Sequence, residues 1–392
     1  MFTILLILIC LFILIPILFF SAECFFSFFP GPKASCDVSD GDRKRLAVMI
    51  PAHNEEHGIK TTVRDAVAQL QDGDRVLVVA DNCNDNTAAV AREYGAEVVV
   101  RHNEQLKGKS YALGYGLETL AADPPEIVIF VDADCRLLPG AVTALANKAS
   151  QMDRPVQGSY IFGGKEGSVA SNMASSLTLR FKNHIRPLGS ARIGMPCQLT
   201  GSGMAFPWHT LQLVNVANGS LTEDAELGVD LALAGYPPTF CAEAKIDGSV
   251  PKAWDAHVQQ RRRWEQGYLQ SIFTNAPRMF FKAIKTGRPS LLWSALDLCI
   301  PPLALLGLFW FIAFAASSIL VSLGGSWLPL YLLFCGAVLM GASIISGWFV
   351  HCRDEVGLKS LLSVPWFVLR KVTIYASLLF NREKVWLRTE RD

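Results

Sequence analysis

Asp132 and Asp134, separated by one alanine in "EIVIFVDADCR" (Glu126 to Arg136), follow five apolar or β-branched residues in a row. Residues two apart in an extended chain point to the same side, so the two carboxylates would sit close together at a strand's carboxyl end. Like charges repel there unless solvent screens them, one carboxylate takes up a proton, or a cation sits between them. Polar residues gather after two other apolar runs as well: "AHNEE" from Ala52 and "DNCND" from Asp81. Ligands of open α/β sheets bind outside the carboxyl ends of the strands, so three such ends in one sheet point to a shared site rather than to three solvated loops.

The elements that must position these groups can be read from periodicity. Strands are expected at "RLAVMIPAHN", "RVLVVADN", "EVVVRH" and "EIVIFVDAD", with helices such as "GIKTTVRDAVAQL" and "TAAVAREY" between them and Gly95 just past the second helix. Strands alternating with helices predict an α/β domain with a mostly parallel, Rossmann-like sheet between about Arg45 and Lys285. Two motifs do not hold. "HNEQLKGKS" has Asn103 where a Walker loop needs glycine, and "DNCNDN" has Asn86 where a calcium loop needs glycine. The 392 residues carry a formal charge of +1, which gives no case for a nucleic-acid partner, and ten cysteines without CxxC spacing read as reduced thiols rather than a zinc module.

Charged residues are 18% of the chain and apolar ones 51%, because both ends are apolar while the middle reads as soluble. "FTILLILICLFILIPILFF", Phe2 to Phe20, is long enough to cross a bilayer at about 1.5 Å per residue. It is a poor signal peptide, with no basic residue before it and Glu23 after it. Leu298 to Val350 holds no charged residue and breaks at "GGSWLP", which predicts a transmembrane hairpin. The last apolar run, 361–380, has Pro365, Arg370 and Lys371 inside it and suits a helix lying in the membrane interface. The expected organisation is an anchor at 1–22, a linker at 23–44, a catalytic domain at 45–288 and a membrane domain at 289–392.

In "IPAHNEE", "VVADNCNDNT", "LKGKSYAL", "VDADC", "LTEDAELG" and "QRRRW", taken in order, the sequence resembles membrane-bound inverting glycosyltransferases of family 2. These include cellulose, chitin and hyaluronan synthases and exopolysaccharide relatives, and the resemblance covers about Arg45 to Trp264. It implies a glycosyltransferase type A fold and transfer from a nucleotide sugar, UDP-linked, to a growing exopolysaccharide or lipid-linked saccharide. Asp132 and Asp134 would hold Mg2+ or Mn2+ against the donor diphosphate, a charge that a leaving diphosphate needs neutralised. The resemblance places Ala52, Glu55 and Asp81 at the nucleotide and Lys109, at the start of a helix, beside it. Asp224 of "TED" would be the general base, with Thr222 capping the helix that follows; the structural alternative is a plain N-cap. Gln260, Arg263 and Trp264 fall on one helical face and would offer an amide, a guanidinium for phosphate and an indole for a sugar ring. "TGSGMAFPW" resembles the loop beneath the acceptor.

Three spans are few for a polymer channel, so export would need a partner membrane subunit, and the resemblance also admits a single-transfer synthase similar to ceramide glucosyltransferases. A catalytically inactive scaffold would have lost one of its carboxylates, and Asp81, Asp132, Asp134 and Asp224 are all present. A transporter is excluded because the polar constellation lies in the soluble middle. Lys33, Arg43, Lys44 and Arg45 after the first span, Lys282, Lys285 and Arg288 before the hairpin, and Arg353 and Lys359 after it place the catalytic domain in the cytoplasm and the chain in the plasma membrane as a multi-pass protein. A cysteine introduced at Ser326 should therefore react with an impermeant thiol reagent on intact cells, and one introduced at Asp392 should not. Labelling at 392 would show that the last apolar run crosses the bilayer.

Overall fold

The computed structural model describes residues 2–31, 44–162, 176–220, 222–248 and 254–363, with positions 368, 371 and 375; the side chains of 2, 254–261, 263 and 360 are outside the description. The four expected strands form where apolar and β-branched residues run together: β1 Leu46–Ala52, β2 Arg75–Asp81, β3 Glu97–Arg101 and β4 Ile127–Phe130. Between them lie α1 Phe2–Phe26 at the start of the chain, α2 Ile59–Val67, α3 Thr87–Glu93 and α4 Lys109–Leu120. Next come β5 Cys135–Leu137, α5 Ala141–Met152, β6 Val156–Phe162, α6 (described from 176 to 180), a π-helical turn Phe181–Ile185, α7 Arg186–Arg192, β7 Met204–Pro207 and α8 Trp208–Leu211. The chain continues with α9 Glu223–Ala234, β8 Thr239–Gly248, α10 Trp254–Thr286, α11 Pro289–Leu298, α12 Leu303–Ser322, α13 Leu328–His351 and α14 Leu358–Leu362.

One eight-stranded sheet has the order β3-β2-β1-β4-β7-β6-β8-β5. Pairs β1–β2, β1–β4, β2–β3 and β6–β8 are parallel, and β4–β7, β6–β7 and β5–β8 are antiparallel. The sheet is thus mostly parallel and covered on both faces, which is why β1 is apolar throughout rather than alternating. Leu46, Val48 and Ile50 face one core with α2, α3 and α5, while Ala47 and Met49 face the other with α4 and α9. The carboxyl ends of β1, β2 and β4 lie side by side, because these strands are neighbours and parallel. "TGSGMAFPW" is a loop only in its first half; Met204–Pro207 is strand β7, paired antiparallel to β4.

Among the described residues, three helices are long and apolar enough to cross a membrane: Thr3–Phe26, Leu303–Ser322 and Leu328–His351. They match the three expected spans. Phe12, Phe311 and Phe334 point outward from them, more than half exposed. Of the expected interfacial helix, 364–367 and most positions beyond lie outside the described residues; positions 368, 371 and 375 are helical, and Lys371 pairs with Glu265 of α10.

The first apolar helix is locked to α7 and, through Arg186, to α11 by charge. Glu23, 1% exposed, accepts from Arg186 Nε at 2.6 Å and from Ser190 Oγ at 3.1 Å, and Arg186 also pairs with Asp297 of α11. Gly189 allows the approach, since a Cβ there would collide with the Glu23 carbonyl oxygen. Glu23→Ala would leave the buried Arg186 Nε and Ser190 Oγ without this acceptor while Asp297 still offsets the guanidinium charge, and a buried donor left unsatisfied costs about 1–3 kcal/mol. Glu23→Ala should therefore lower the thermal midpoint of the detergent-solubilised protein sharply, and Glu23→Gln, which keeps hydrogen-bonding capacity, should lower it less. Equal midpoints for wild type and Glu23→Ala would remove this lock from the account.

Candidate active site

The site begins where β4 ends. Asp132 follows Phe130–Val131, its backbone N–H donates to Ser202 Oγ at 3.1 Å, and the chain then turns so that Asp134 and Cys135 come next to it. One ligand atom from each of Asp132, Asp134 and Cys135 lies within 4.8 Å of the others. The two aspartates therefore share one side, as their spacing requires. Cys135 is the weakest member of the group: burial, followed by the charge of Asp134, pushes its thiol well above its ordinary range, and its Sγ lies 3.6 Å from Tyr160 Oη. The donor set that remains is two carboxylates, hard oxygen ligands that fit Mg2+ or Mn2+.

Lys109 sits at the first turn of α4, directly after Gly108, as the sequence indicates. Its Nζ lies 2.5 Å from Asp132 Oδ1 and 3.5 Å from Glu223 Oε1, and it donates to the Gly201 carbonyl at 2.6 Å. Burial disfavours the ammonium, yet Asp132, Glu223 and Asp224 outweigh burial and hold its pKa above the ordinary lysine range. The 200–203 loop reaches Lys109 because Gly201 and Gly203 adopt φ of +98° and +68°, a region that strains other residues. A Cβ at Gly201 would lie 3.4 Å from Asp224 Oδ2 and 4.0 Å from Asp132 Oδ2. Asp132, Asp224, Glu223 and Lys109 thus surround one loop carbonyl.

α9 begins at Glu223, with Thr222 at its N-cap position. The expected cap fails: the Thr222 side chain makes no capping hydrogen bond, and its methyl packs against α10 where a Cβ on Gly267 would strike it. Burial pushes the Glu223 carboxyl up to about 7 against the pull of Lys109. No hydrogen bond or ion pair to another described residue engages the Asp224 carboxylate, so it is the more available of the two.

These groups border a cavity of about 620 Å³. Ala52, Glu55 and Asp81 line it from the β1 and β2 ends, and Trp264 from α10, where its ring centroid is 6.1 Å from that of Phe162. Glu55 is positioned through its backbone N–H, which donates to Thr87 Oγ1 at 2.8 Å. Asp81 is held rigidly: Arg101 donates to its carboxylate at 2.6 Å, Asn82 Nδ2 at 3.1 Å, and His53 Nδ1 to its carbonyl at 2.7 Å. Gln260 and Arg263 belong to the helical backbone of α10, but their side chains are outside the description. Sequence reasoning missed Lys182, Asn183, Gln198 and Tyr268, which also line the cavity. Nothing in "RFKNHI" marks Lys182; the π-helical turn that carries it is the only local signal, and such turns favour functional sites.

The profile of glycosyl transferase family group 2 matches residues 127–344, and that of glycosyl transferase family 2 matches residues 47–201. "Probable glycosyltransferase YdaM" of Bacillus subtilis (strain 168) is 27% identical over 263 residues, 61% of this chain and 58% of that protein. The 4,4'-diaponeurosporenoate glycosyltransferase of Staphylococcus aureus (strain MRSA252) is 37% identical over 111 residues, 27% of this chain and 28% of that one. The matches therefore span less than two thirds of these curated relatives. The solved structure of mannosyltransferase PcManGT from Pyrobaculum calidifontis, in complex with GDP-Man and Mn2+, superposes with a TM-score of 0.57 at 18% identity, covering 92% of this chain and 99% of that one. At that identity the likeness establishes the fold, glycosyltransferase type A.

The Glu223 shift has a measurable consequence. Its folded pKa lies above the ordinary 4.5, so its contribution to stability is fully present below about 4.5 and is lost as pH rises through about 7. Without added divalent cation, the thermal midpoint of Glu223→Gln should fall less between pH 5 and 7 than that of wild type, about one proton's worth of slope. Parallel midpoint curves would show that Glu223 is already ionised in the folded protein.

Proposed function

Because the chain belongs to glycosyl transferase family group 2, we propose that it transfers a sugar, with inversion, from a UDP-linked nucleotide sugar to a hydroxyl of a growing exopolysaccharide or lipid-linked saccharide. The membrane-side reading is a multi-pass protein of the plasma membrane with its catalytic domain in the cytoplasm. The observation that carries the proposal is the meeting of Asp132, Asp134, Lys109 and Asp224 at one cavity beside the β1, β2 and β4 ends. The GDP-Man and Mn2+ in the PcManGT complex support a nucleotide sugar and a divalent cation for this fold. Asp132 and Asp134 would hold that cation. When bound, a Mg2+ or Mn2+ supplies the positive charge that offsets the departing diphosphate.

The chain's own groups supply the rest. Asp81, fixed by Arg101, and the Ala52 and Glu55 segment form the nucleotide end of the cavity. Lys109 keeps Asp132, Glu223 and the 200–203 loop in register, so that carboxylates of like charge can stay together. Asp224 takes the proton of the acceptor hydroxyl as its oxygen bonds to the anomeric carbon from the face opposite the diphosphate. The bond from that carbon to the diphosphate breaks, the electron pair leaves on the nucleoside diphosphate, and one displacement inverts the centre. Trp264 offers an apolar face to the acceptor ring, with Gln260 and Arg263 assigned beside it by motif alone. Three spans favour a second reading, single transfer to a lipid, over unaided polymer export; a polymer product would need a partner membrane subunit.

Comparing two variants tests the assignment. Asp224→Asn keeps the shape and should retain donor affinity while transfer falls about a hundredfold to ten-thousandfold, the range for general-base help. Trp264→Ala should reduce transfer to acceptor more than hydrolysis of the donor by water. Release of nucleoside diphosphate with and without acceptor, alongside donor affinity, separates the two. Near-normal transfer by Asp224→Asn would move the base to another carboxylate, with Glu223 next. A Trp264→Ala variant that loses only donor affinity would place the indole at the nucleotide or in the fold.

A further inference from the structure

A second cavity, about 110 Å³, adjoins the catalytic one. Leu179, Lys182, Trp264 and Tyr268 border both, so the two are separated only by side chains of the 176–185 segment and α10. On its other side the small cavity is closed by Ile300 to Ala304, the apolar lead into the α12 span, and Tyr268 Oη donates to the Ile300 carbonyl at 3.0 Å. A space opening from a sugar-transfer site onto the start of a membrane span is too small for a whole drug-sized ligand, and it suits only the few atoms next to a head group.

Its charge is specific. Arg186 is committed to Glu23 and Asp297, and Lys371 to Glu265. Lys182 differs: no carboxylate of another described residue lies within 4.0 Å of its Nζ, which sits 4.9 Å over the Tyr268 ring. The π-helical turn turns this residue outward while its neighbours Phe181 and Asn183 are buried, and the surface it exposes borders both cavities.

We infer that the second cavity admits the acceptor from the membrane, and that this acceptor is an amphiphile with an anionic head group. Lys182 meets the anion, the chain lies along the start of α12, and a hydroxyl next to the anion reaches Asp224 between Trp264 and Tyr268. The inference rests on the glycosyl-transfer reading and leaves its chemical step unchanged. Three observations select a lipid: the side chains shared by the two cavities, the apolar wall given by the lead into α12, and a lysine at their junction with no carboxylate of a described residue paired to it.

The test uses the purified full chain in neutral detergent with dodecyl phosphate carrying a diazirine on the third carbon from its head group, and the matching dodecanol probe. After irradiation, labelled residues are mapped by mass spectrometry, and UDP affinity is measured on the same preparation. Labelling at 300–304 should be about tenfold stronger with the phosphate, the scale of one charge-assisted hydrogen bond, and excess inorganic phosphate should not compete. Lys182→Arg should keep that preference and Lys182→Gln should lose it. Ala304→Phe, which fills the cavity from the α12 side, should lower labelling by both probes. Equal labelling by the two probes, competition by inorganic phosphate, or an unchanged preference in Lys182→Gln would overturn the inference. So would a Lys182→Gln variant that loses UDP affinity and keeps the labelling preference, since Lys182 would then serve the diphosphate. A wild-type protein that binds UDP without labelling at 300–304 refutes this inference alone, whereas one that binds no nucleotide refutes the glycosyl-transfer reading on which it rests.

Discussion

One ammonium group balances the site. Asp132 ends a strand, Glu223 and Asp224 begin a helix, and Gly201 belongs to a loop, yet all four lie around Lys109. Burial first, and then the charges of Asp224 and Asp132, raise the pKa of Glu223 against the pull of Lys109. Additional positive charge is what such a cluster favours. The proposed cation between Asp132 and Asp134 would add such charge.

The cluster is tied to the membrane through a second set of charges. Asp297 Oδ2 accepts from Gln198 Nε2 at 2.9 Å, and Gln198 begins the segment that leads through Leu199 and Thr200 to the Gly201 carbonyl. Arg186 joins Asp297 to Glu23 in the first apolar helix. The first apolar helix is therefore part of the scaffold that holds the 198–201 segment. α10 adds a parallel connection, with Trp264 at the cavity and Tyr268 bonded to the start of α12. The same few helices thus reach from the cavity to the apolar helices.

Local signals were legible in the sequence. Four strands, two helices, the Asp132–Asp134 pair and Lys109 at a helix start each depend on residues close together along the chain, where periodicity and glycine placement act. Partners far apart in the chain were not. Nothing near Asp81 announces Arg101, and Glu23 reads as a poor cleavage site until Arg186, 163 residues away, is seen beside it. In the second half of the sheet, β5 and β7 are three and four residues long, too short for period-two alternation to declare itself. Thr222 has the residue type for a cap, but its tight packing against Gly267 of α10 decides its orientation instead. The π-helical turn at Lys182 leaves no mark in composition at all.

The central claim is that Asp132 and Asp134 form a cation site completed by the donor's diphosphate. It is tested most directly by electron paramagnetic resonance of Mn2+ titrated into the purified protein with and without UDP. The account predicts weak binding alone, and with UDP one tightly held Mn2+ per chain that is lost in Asp134→Asn. Mn2+ binding that ignores UDP, or that survives the loss of Asp134, would contradict it.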